Sequence, residues 1–230
     1  LTFTYPLSLL TEGKKEYTVE AVMKDSLGAV LETQTESVFK YDRPTALRAD
    51  GIYIVDGKPF NPVIAMGTTA DMYPYLKEWG FNTVFCPAHL VDTAQSYGLK
   101  AIVFLYANMK PAGHPDNIQG TLNAINTYHD HPGLLAWSVQ DEPFGNYSEP
   151  EEWLKHSYTA IRNIDSVHPI IIVEEPKEAS FSKAAKYCDI LSVDPYPREL
   201  YPVTTYVSDT IEAAIECVNN EKPIYATLQA

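Results

Sequence analysis

Basic residues are scarce in this sequence. The 17 lysines and arginines are outnumbered by 30 aspartates and glutamates, so the formal net charge is −13. Nucleic acids and anionic membranes bind basic surfaces, and this balance therefore argues against both as partners. Cysteines are also few: Cys86, Cys188 and Cys217 are widely spaced and form no Cys-x-x-Cys pair. We expect no zinc knuckle and no redox motif, and we expect each cysteine to be a small buried residue.

Long apolar runs are missing as well. No stretch of about 18 apolar residues occurs, so we expect no transmembrane helix. The chain begins at Leu1 without a methionine or a signal peptide, which leads us to expect a mature product or a fragment of a longer protein. Hydrophobic residues still make up 45% of the chain, enough for a sizeable core, and 16 tyrosines accompany only 3 tryptophans. Abundant tyrosine suits the binding of sugars, although tyrosines also fill ordinary cores.

Residues 1–43 have the pattern of β structure. Residues 17–23 alternate between apolar and polar side chains, residues 25–28 supply turn chemistry, and residues 30–41 are rich in valine, threonine and phenylalanine. Two or three strands cannot bury a core alone, so we interpret residues 1–43 as the C-terminal part of a β-sandwich. A hairpin that decorates the next domain is the alternative. Residues 44–60 are predicted as a linker and an entry hairpin with Asp56-Gly57 at its turn.

From residue 61 to residue 230, apolar segments alternate with helical segments, as in β/α units around a parallel sheet. The predicted strands are residues 62–67, 81–86, 99–106, 134–142, 170–175, 190–196 and 224–230. The predicted helices are residues 72–79, 90–97, 118–129, 151–164, 180–187 and 206–219. Without a Gly-x-Gly-x-x-Gly motif after the first strand, this order favours a barrel over a dinucleotide-binding fold.

An eighth strand is missing, and the region is shorter than the ~250 residues typical of a (β/α)8 barrel. We therefore predict an α/β fold: a (β/α)8 TIM barrel that is incomplete at its C-terminus and follows a partial N-terminal β-sandwich. Strands 1 to 7 of the barrel are assigned to residues 61–230.

Residues 131–143 are the most informative segment. A proline-glycine turn precedes a short apolar strand that ends on two adjacent carboxylates, Asp141 and Glu142. Side chains alternate along a strand, so the bulky set should face the surrounding helices: Leu135, Trp137 and Val139. The small and polar set should face the barrel interior: Ala136, Ser138, Gln140 and Glu142. This parity places Glu142, rather than Asp141, at the barrel mouth, where barrel enzymes present catalytic groups.

Further polar residues end or follow other predicted strands, and we expect them at the same rim. They are His89 after the second strand, Tyr106 at the end of the third, Glu174 and Glu175 on the fifth, Asp194 and Tyr196 on the sixth and Gln229 on the seventh. The uniform isoleucine run of the fifth strand does not say which of its two glutamates faces inward. A carboxylate at a strand end can also cap the next helix or pair with a lysine, so a purely structural role stays open for each acid.

The triplet His129-Asp130-His131 raises the alternative of metal-dependent hydrolysis. It precedes the fourth strand and so belongs to the N-terminal face, where this fold keeps stability rather than chemistry. Spacing without converging partners is also a poor indication of a metal site. We therefore predict no metal, and we expect His89 and His114 either to contact a sugar or to be solvated loop residues.

Three stretches resemble retaining glycoside hydrolases of clan A. Residues 131–137, followed by Asp141-Glu142-Pro143, resemble the fourth strand of these (β/α)8 barrels, whose general acid/base is a glutamate that ends this strand. Residues 52–60 resemble the barrel entry of β-galactosidase-like and β-glucuronidase-like enzymes, where it follows an immunoglobulin-like sandwich. Residues 189–197 are similar to the sixth strand of such hydrolases. The resemblance covers about residues 50–230. Its motifs indicate the fold well, but they give almost no information about the substrate.

Two positions depart from the family. The clan usually has an asparagine before the acid/base, holding the sugar 2-hydroxyl, and here Asp141 stands at that position. The clan's nucleophile is a glutamate that ends the seventh strand, and here the matching residue is Gln229. A neutral amide cannot form the glycosyl ester that retention requires. The second carboxylate is therefore left open between Asp194, which we place first, Glu174, Glu175 and a residue beyond Ala230.

We expect a glycoside hydrolase acting on O-glycosidic bonds of an oligo- or polysaccharide, with Glu142 as general acid/base and Asp194 as its catalytic partner. Substrate contacts are predicted for the remaining rim residues: Asp141, Gln229, Tyr196, Tyr106, Glu174, Glu175 and His89. The alternative is a catalytically silent carbohydrate-binding barrel, which Gln229 favours. We predict no cofactor, the resemblance implies an extracellular or periplasmic location, and no oligomeric state is predicted.

Overall fold

A computed structural model of the chain describes residues 16–39, 45–47, 51–105, 118–146, 150–196, 203–219 and 221–228. The chain divides into two compact units, Leu1–Arg43 and Pro44–Ala230. In the described part of the first unit, strands β1 (Glu16–Lys24) and β2 (Val30–Phe39) form an antiparallel ribbon. The Asp25 carboxylate fixes the turn between them by accepting hydrogen bonds from the backbone N–H groups of Leu27 and Ala29.

The second unit begins with a small antiparallel sheet. Its strands are β3 (Thr45–Leu47), β4 (Tyr53–Val55) and β5 (Lys58–Phe60). The turn between β4 and β5 is the predicted one: Asp56 and Gly57 have φ of 49° and 74°, the left-handed conformations that a two-residue hairpin turn requires. Thr45–Leu47, by contrast, was predicted as linker and is a strand, because it pairs with β4.

A seven-stranded parallel sheet forms the rest of the second unit. Its strands are β6 (Ile64–Ala65), β7 (Thr83–Cys86), β8 (Lys100–Phe104), β9 (Leu134–Asp141), β10 (Ile170–Glu174), β11 (Ile190–Val193) and β12 (Ile224–Ala226). The helices are α1 (Tyr73–Glu78), α2 (Val91–Ser96), α3 (Ile118–Tyr128), α4 (Pro143–Asn146), α5 (Pro150–Ile164), α6 (Glu178–Ala184) and α7 (Val203–Cys217). Short 3-10 helices occupy Ala70–Met72, Ala88–Leu90 and Ala185–Tyr187.

Strand order in this sheet follows chain order from β6 to β12, every neighbouring pair is parallel, and the sheet curls into a half-barrel. The seven predicted strands are confirmed, each within a few residues, because apolar runs of this length bounded by glycine or proline are typical of buried parallel strands. The α/β class and the incomplete barrel agree with the prediction, whereas the N-terminal sandwich remains a prediction.

The sheet is covered by apolar residues on both faces. One cluster joins the sheet to the helices and includes Trp137 of β9 and Trp153 of α5. The other lies on the opposite face and combines residues of five parallel strands with Tyr53 of the small sheet. Cys86 and Cys188 are buried in the first cluster, as predicted, and Cys217 is half-buried at its edge.

Leu135 is on the other face of the sheet from the one predicted. It belongs to the interior cluster, while Leu134 and Trp137 pack against the helices. Strand β9 carries an extra residue at this point: Ala101 and Ile102 pair with Leu134 and Ala136. A bulge of this kind reverses the alternation locally. A second register shift follows opposite β10, so Gln140 pairs with Ile172 of the helix-side cluster and Asp141 pairs with Val173 of the interior cluster, which reverses the predicted parity at the end of the strand.

A buried polar network ties β9 to the loop before β10. The Asp165 carboxylate accepts hydrogen bonds from Trp137 Nε1 at 2.8 Å and from the backbone N–H groups of Val167 and His168 at 3.0 and 3.1 Å, and it lies 2.8 Å from His168 Nδ1. Burial opposes ionisation of Asp165, but the bonds with His168 and Trp137 outweigh it and hold its pKa well below the usual range.

A cavity of about 950 Å³ lies between the two outer strands of the sheet, β6 and β12. Its walls are mostly apolar and include Phe85, Ile171 and Trp79, with Ser192 and Thr227 hydrogen-bonded to each other on one side. None of the acids predicted at the barrel mouth lines this cavity. No helix within the described residues is long and apolar enough to cross a membrane.

Candidate active site

Acidic residues from three neighbouring strands converge at one edge of the sheet. Asp141 ends β9 and Glu142 follows it, Glu174 ends β10, and Asp194 follows β11. Because the strands are parallel, their carboxyl ends meet at the same edge, and residues from all three strands come into contact. The convergence that was predicted from strand ends is therefore present among the described residues.

Glu142 occupies a strained turn between β9 and α4. Its φ is +46°, in the left-handed region that costs a residue other than glycine roughly 1 kcal/mol. Backbone hydrogen bonds hold the turn: Glu142 N donates to the Val173 carbonyl at 2.8 Å, and the N–H groups of Gly145 and Asn146 donate to the Glu142 carbonyl. The chain thus leaves the strand sharply, and the half-buried Glu142 side chain is presented at the sheet edge.

The side chains of Glu142 and Asp194 lie close enough for their carboxyl groups to interact. Asp194 is only 3% exposed, and within the described residues no hydrogen-bond donor reaches its Oδ1 atom. Burial raises the pKa of Asp194 to about 8, with the hydrogen bond to Glu142 and the charges of Glu142 and Asp141 adding to the effect. At neutral pH the Asp194 carboxyl group is therefore mostly protonated.

Glu174, the last residue of β10, is fully buried. Its carboxylate accepts hydrogen bonds from the backbone N–H groups of Phe144 at 3.3 Å and Glu175 at 3.2 Å. These bonds favour the ionised form, but burial dominates and raises the pKa of Glu174 to about 7, helped by the charges of Glu175 and Glu142.

Glu175 is half-buried and forms an ion pair with Lys177. Sequence reasoning missed Lys177, although a lysine two residues beyond Glu175 was a visible signal. Its hydrogen bond to Glu175 raises the pKa of Lys177, and the charges of Glu174 and Glu142 add to this. The Glu175 carboxylate also covers Gly145 of α4, where a Cβ atom would lie 2.3 Å from Oε1. A side chain at position 145 would therefore displace Glu175.

Asp141 and Tyr196 lie close to the pair formed by Glu142 and Asp194. Burial and the charge of Glu142 raise the pKa of Asp141. Burial, followed by the charges of Asp194, Asp141 and Glu142, raises the pKa of Tyr196. A neutral phenol beside a carboxyl pair offers one hydrogen-bond donor that an acidic cluster otherwise lacks.

The other predicted rim residues are separate from this cluster or outside the described residues. His89 is exposed on the 3-10 helix that follows β7. Tyr106, His114 and Gln229 lie outside the described residues. Substrate contact therefore stays a prediction for all of them.

No metal-binding cluster of three or more histidine, cysteine or acidic residues occurs in the part of the chain that the structure describes. The histidines before β9 have other contacts. His131 Nε2 lies 3.0 Å from Asp92 Oδ1, and His129 contacts the adjacent Asp130. These contacts do not bring the two histidines to a common point with further ligands.

The curled parallel sheet with helices between its strands matches part of the fold of several solved structures. A GH2 β-galacturonidase from Eisenbergiella tayi, bound to galacturonate, matches with a TM-score of 0.63 at 16% identity over 94% of this chain and 43% of that one. A β-D-glucuronidase from Dictyoglomus thermophilum gives 0.57 at 17% identity over 93% and 49%. A β-glucuronidase from Bacteroides uniformis gives 0.58 at 14% identity over 91% and 29%.

The chain spans less than half the length of each of these three proteins. Comparison with protein-family models gave no match, and comparison with curated proteins gave none either. At these identities the likeness is one of fold.

Proposed function

We propose that the protein is a glycoside hydrolase that cleaves O-glycosidic bonds, with Glu142 as general acid/base. One observation carries this proposal: the carboxyl groups of Glu142 and Asp194 interact where the strands end, and burial raises the pKa of Asp194 to about 8. Glycoside cleavage requires a proton for the leaving oxygen, and a carboxyl group with a raised pKa supplies it near neutral pH. The glycoside hydrolase-like fold of the chain supports the same function.

The contact between Glu142 and Asp194 defines how they work in this proposal. A sugar ring does not fit between carboxyl groups in hydrogen-bond contact, since catalytic pairs that flank a glycosidic bond are ~5 Å or more apart. Both groups therefore act from one side of the bond. The single proton of the pair passes from Asp194 through Glu142 to the leaving oxygen; water adds to the anomeric carbon, and the proton that the water loses returns to the pair.

The substrate class to test first follows from the structural neighbours, which are a β-galacturonidase and β-glucuronidases. The experiment measures hydrolysis of aryl β-glucuronides, β-galacturonides, β-galactosides and β-glucosides by the wild-type chain, by Glu142→Gln and by Glu151→Gln. Glu151 is a surface residue paired with Lys186, so it is a matched control for the charge change. We expect cleavage of at least one substrate by the wild type and the control, and a loss of about 100-fold or more in Glu142→Gln. Equal rates in all three proteins would refute the assignment of Glu142.

The second candidate function is a catalytically silent carbohydrate-binding barrel. Gln229, at the position where the resembling family has its nucleophile, favours it. Isothermal titration with oligosaccharides, run beside product analysis, separates the two functions. Binding without any product would select the silent barrel, whereas binding with product would select the hydrolase.

We propose in addition that residues 1–43 belong to an immunoglobulin-like sandwich and that the protein acts in an extracellular or periplasmic compartment. The antiparallel ribbon of β1 and β2 and the resemblance to sandwich-plus-barrel hydrolases support both statements. Fractionation of cells that express the natural gene tests the location.

A further inference from the structure

Glu174 is a buried residue that contacts the backbone beside both members of the proposed catalytic pair. It is the last residue of β10, which lies between β9 and β11 in the sheet. Its side chain is 0% exposed, and both of its carboxylate oxygens accept backbone N–H groups. A carboxylate in this situation is committed to the protein and cannot bind a sugar hydroxyl as it stands.

The side chain of Glu174 holds the turn that carries Glu142. Oε2 accepts the Phe144 N–H, two residues after Glu142. The residue before Glu174 contributes as well, since the Val173 carbonyl accepts the Glu142 N–H. Glu142 is thereby fixed on both sides in a left-handed conformation that it would not adopt alone.

The backbone of Glu174 holds Asp194. Its carbonyl accepts the Asp194 N–H at 3.3 Å. One residue therefore fastens the backbone of Asp194 and, through its side chain, the backbone just after Glu142. Carboxyl groups share a proton only within a narrow range of distance and direction, so anything that moves this turn changes the pair.

We propose that Glu174 is a positioning residue: by holding the Phe144 N–H, its carboxylate directs the Glu142 carboxyl toward Asp194. This role rests on the proposed function and replaces the substrate contact that the sequence predicts for Glu174. Loss of the carboxylate frees the turn, and a displacement of about 1 Å at a reacting group costs on the order of 100-fold in rate.

The first test needs no activity. The Phe144 amide signal is followed by NMR against pH in the wild-type chain, in Glu174→Gln and in the control Glu151→Gln. In the wild type and the control, the chemical shift of the Phe144 amide should change with pH around a midpoint near 7, because the Glu174 carboxyl that is bonded to this amide ionises there. Glu174→Gln should lose this change, since the glutamine amide does not titrate. A Phe144 titration that persists unchanged in Glu174→Gln would overturn the proposal.

The second test separates positioning from substrate contact on a glycoside that the wild type cleaves. Glu174→Gln should lower kcat by about tenfold, and Glu174→Ala by more, with KM within about threefold of the wild-type value. The control Glu151→Gln should keep both constants. A raised KM with unchanged kcat in the Glu174 variants would overturn the positioning role.

The two tests also distinguish failure of the proposed function from failure of the positioning role of Glu174. A wild-type chain that cleaves no glycoside refutes the proposed function, while the Phe144 titration still decides whether Glu174 holds the Glu142 turn. Circular dichroism of each variant shows whether a change in rate reflects loss of the fold.

Discussion

The Glu142 carboxyl interacts with the buried Asp194 carboxyl, although the two residues stand at the carboxyl ends of strands that are not adjacent in the sheet. Strand β10 lies between them and binds the backbone of each one: the Val173 carbonyl accepts the Glu142 N–H, and the Glu174 carbonyl accepts the Asp194 N–H. Backbone hydrogen bonds from β10 therefore hold both Glu142 and Asp194 in place. Two acids placed in this way cannot both be ionised cheaply, and this adds to the burial that raises the pKa of Asp194 to about 8.

The pH dependence of activity should report the proton that Asp194 carries. Above about pH 8 the pair loses it, because the pKa of Asp194 is raised to about 8, and kcat/KM should fall as the pH rises through this value. In Asp194→Asn the alkaline limb should move away from pH 8, since an amide does not titrate. Asp209→Asn, at an exposed position on α7, is the control and should keep the wild-type profile. An identical alkaline limb in all three proteins would contradict the raised pKa of Asp194.

The same groups should make the fold less stable at alkaline pH. The pKa values of Glu174 and Asp194 are raised in the folded chain, so their contribution is fully present below the ordinary carboxyl pKa and is lost as the pH rises through about 7 and about 8. One pKa unit corresponds to about 1.4 kcal/mol, and from pH 6 the loss covers about one unit for Glu174 and about two for Asp194, so we expect the free energy of unfolding to fall by on the order of 4 kcal/mol between about pH 6 and about pH 9.

Substitution of either acid by its amide should reduce this fall, because the buried group then has no charge to acquire. Denaturant unfolding of the wild type, Asp194→Asn and Glu174→Gln at the two pH values measures it. At about pH 9 each variant should equal or exceed the wild type in stability, as is common when an active-site residue is removed. A wild type that becomes more stable toward pH 9 would contradict the raised pKa values.

Asp165 should behave in the opposite way. Its carboxylate is buried, accepts three firm hydrogen bonds and contacts His168 Nδ1, so Asp165→Ala should lower the free energy of unfolding by about 3 kcal/mol or more. Because the pKa of Asp165 is lowered, its contribution is present above the ordinary aspartate pKa and is lost only in acid.

Asp130 offers a matched surface control for Asp165, since it also contacts a histidine, His129, but has a side chain that is 73% exposed. Asp130→Ala should change the free energy of unfolding by less than about 0.5 kcal/mol. Equal losses in the two variants would show that burial of Asp165 is not what makes its contacts stabilising.

The sequence predicts the strands and helices well because their apolar periods are long and their ends carry glycine or proline. It also predicts which strand ends carry the acids. It does not predict the face of Leu135, because a bulge depends on the pairing of β9 with β8 and leaves no mark in the local pattern. The uniform residues 170–172 likewise give no signal that Glu174 is fully buried while Glu175 is half-buried.

The contact between Glu142 and Asp194 could be predicted from the sequence only in part. Parallel strands bring both acids to one edge, which the sequence implies, but their separation depends on the left-handed turn at Glu142. A glutamate gives no reason to expect φ of +46°, because its side chain disfavours it. The strain is imposed by hydrogen bonds from β10, which are visible only in the fold.

The most direct test of the central claim is the dependence of cleavage on the leaving group in Glu142→Gln. A general acid matters most when the departing oxygen is basic, so the variant should lose about 100-fold or more in kcat/KM on alkyl glycosides or disaccharides and less than about tenfold on dinitrophenyl glycosides of the same sugar. That difference is what the account predicts. An equal loss on both kinds of substrate, or no loss on either, would show that Glu142 does not protonate the leaving group.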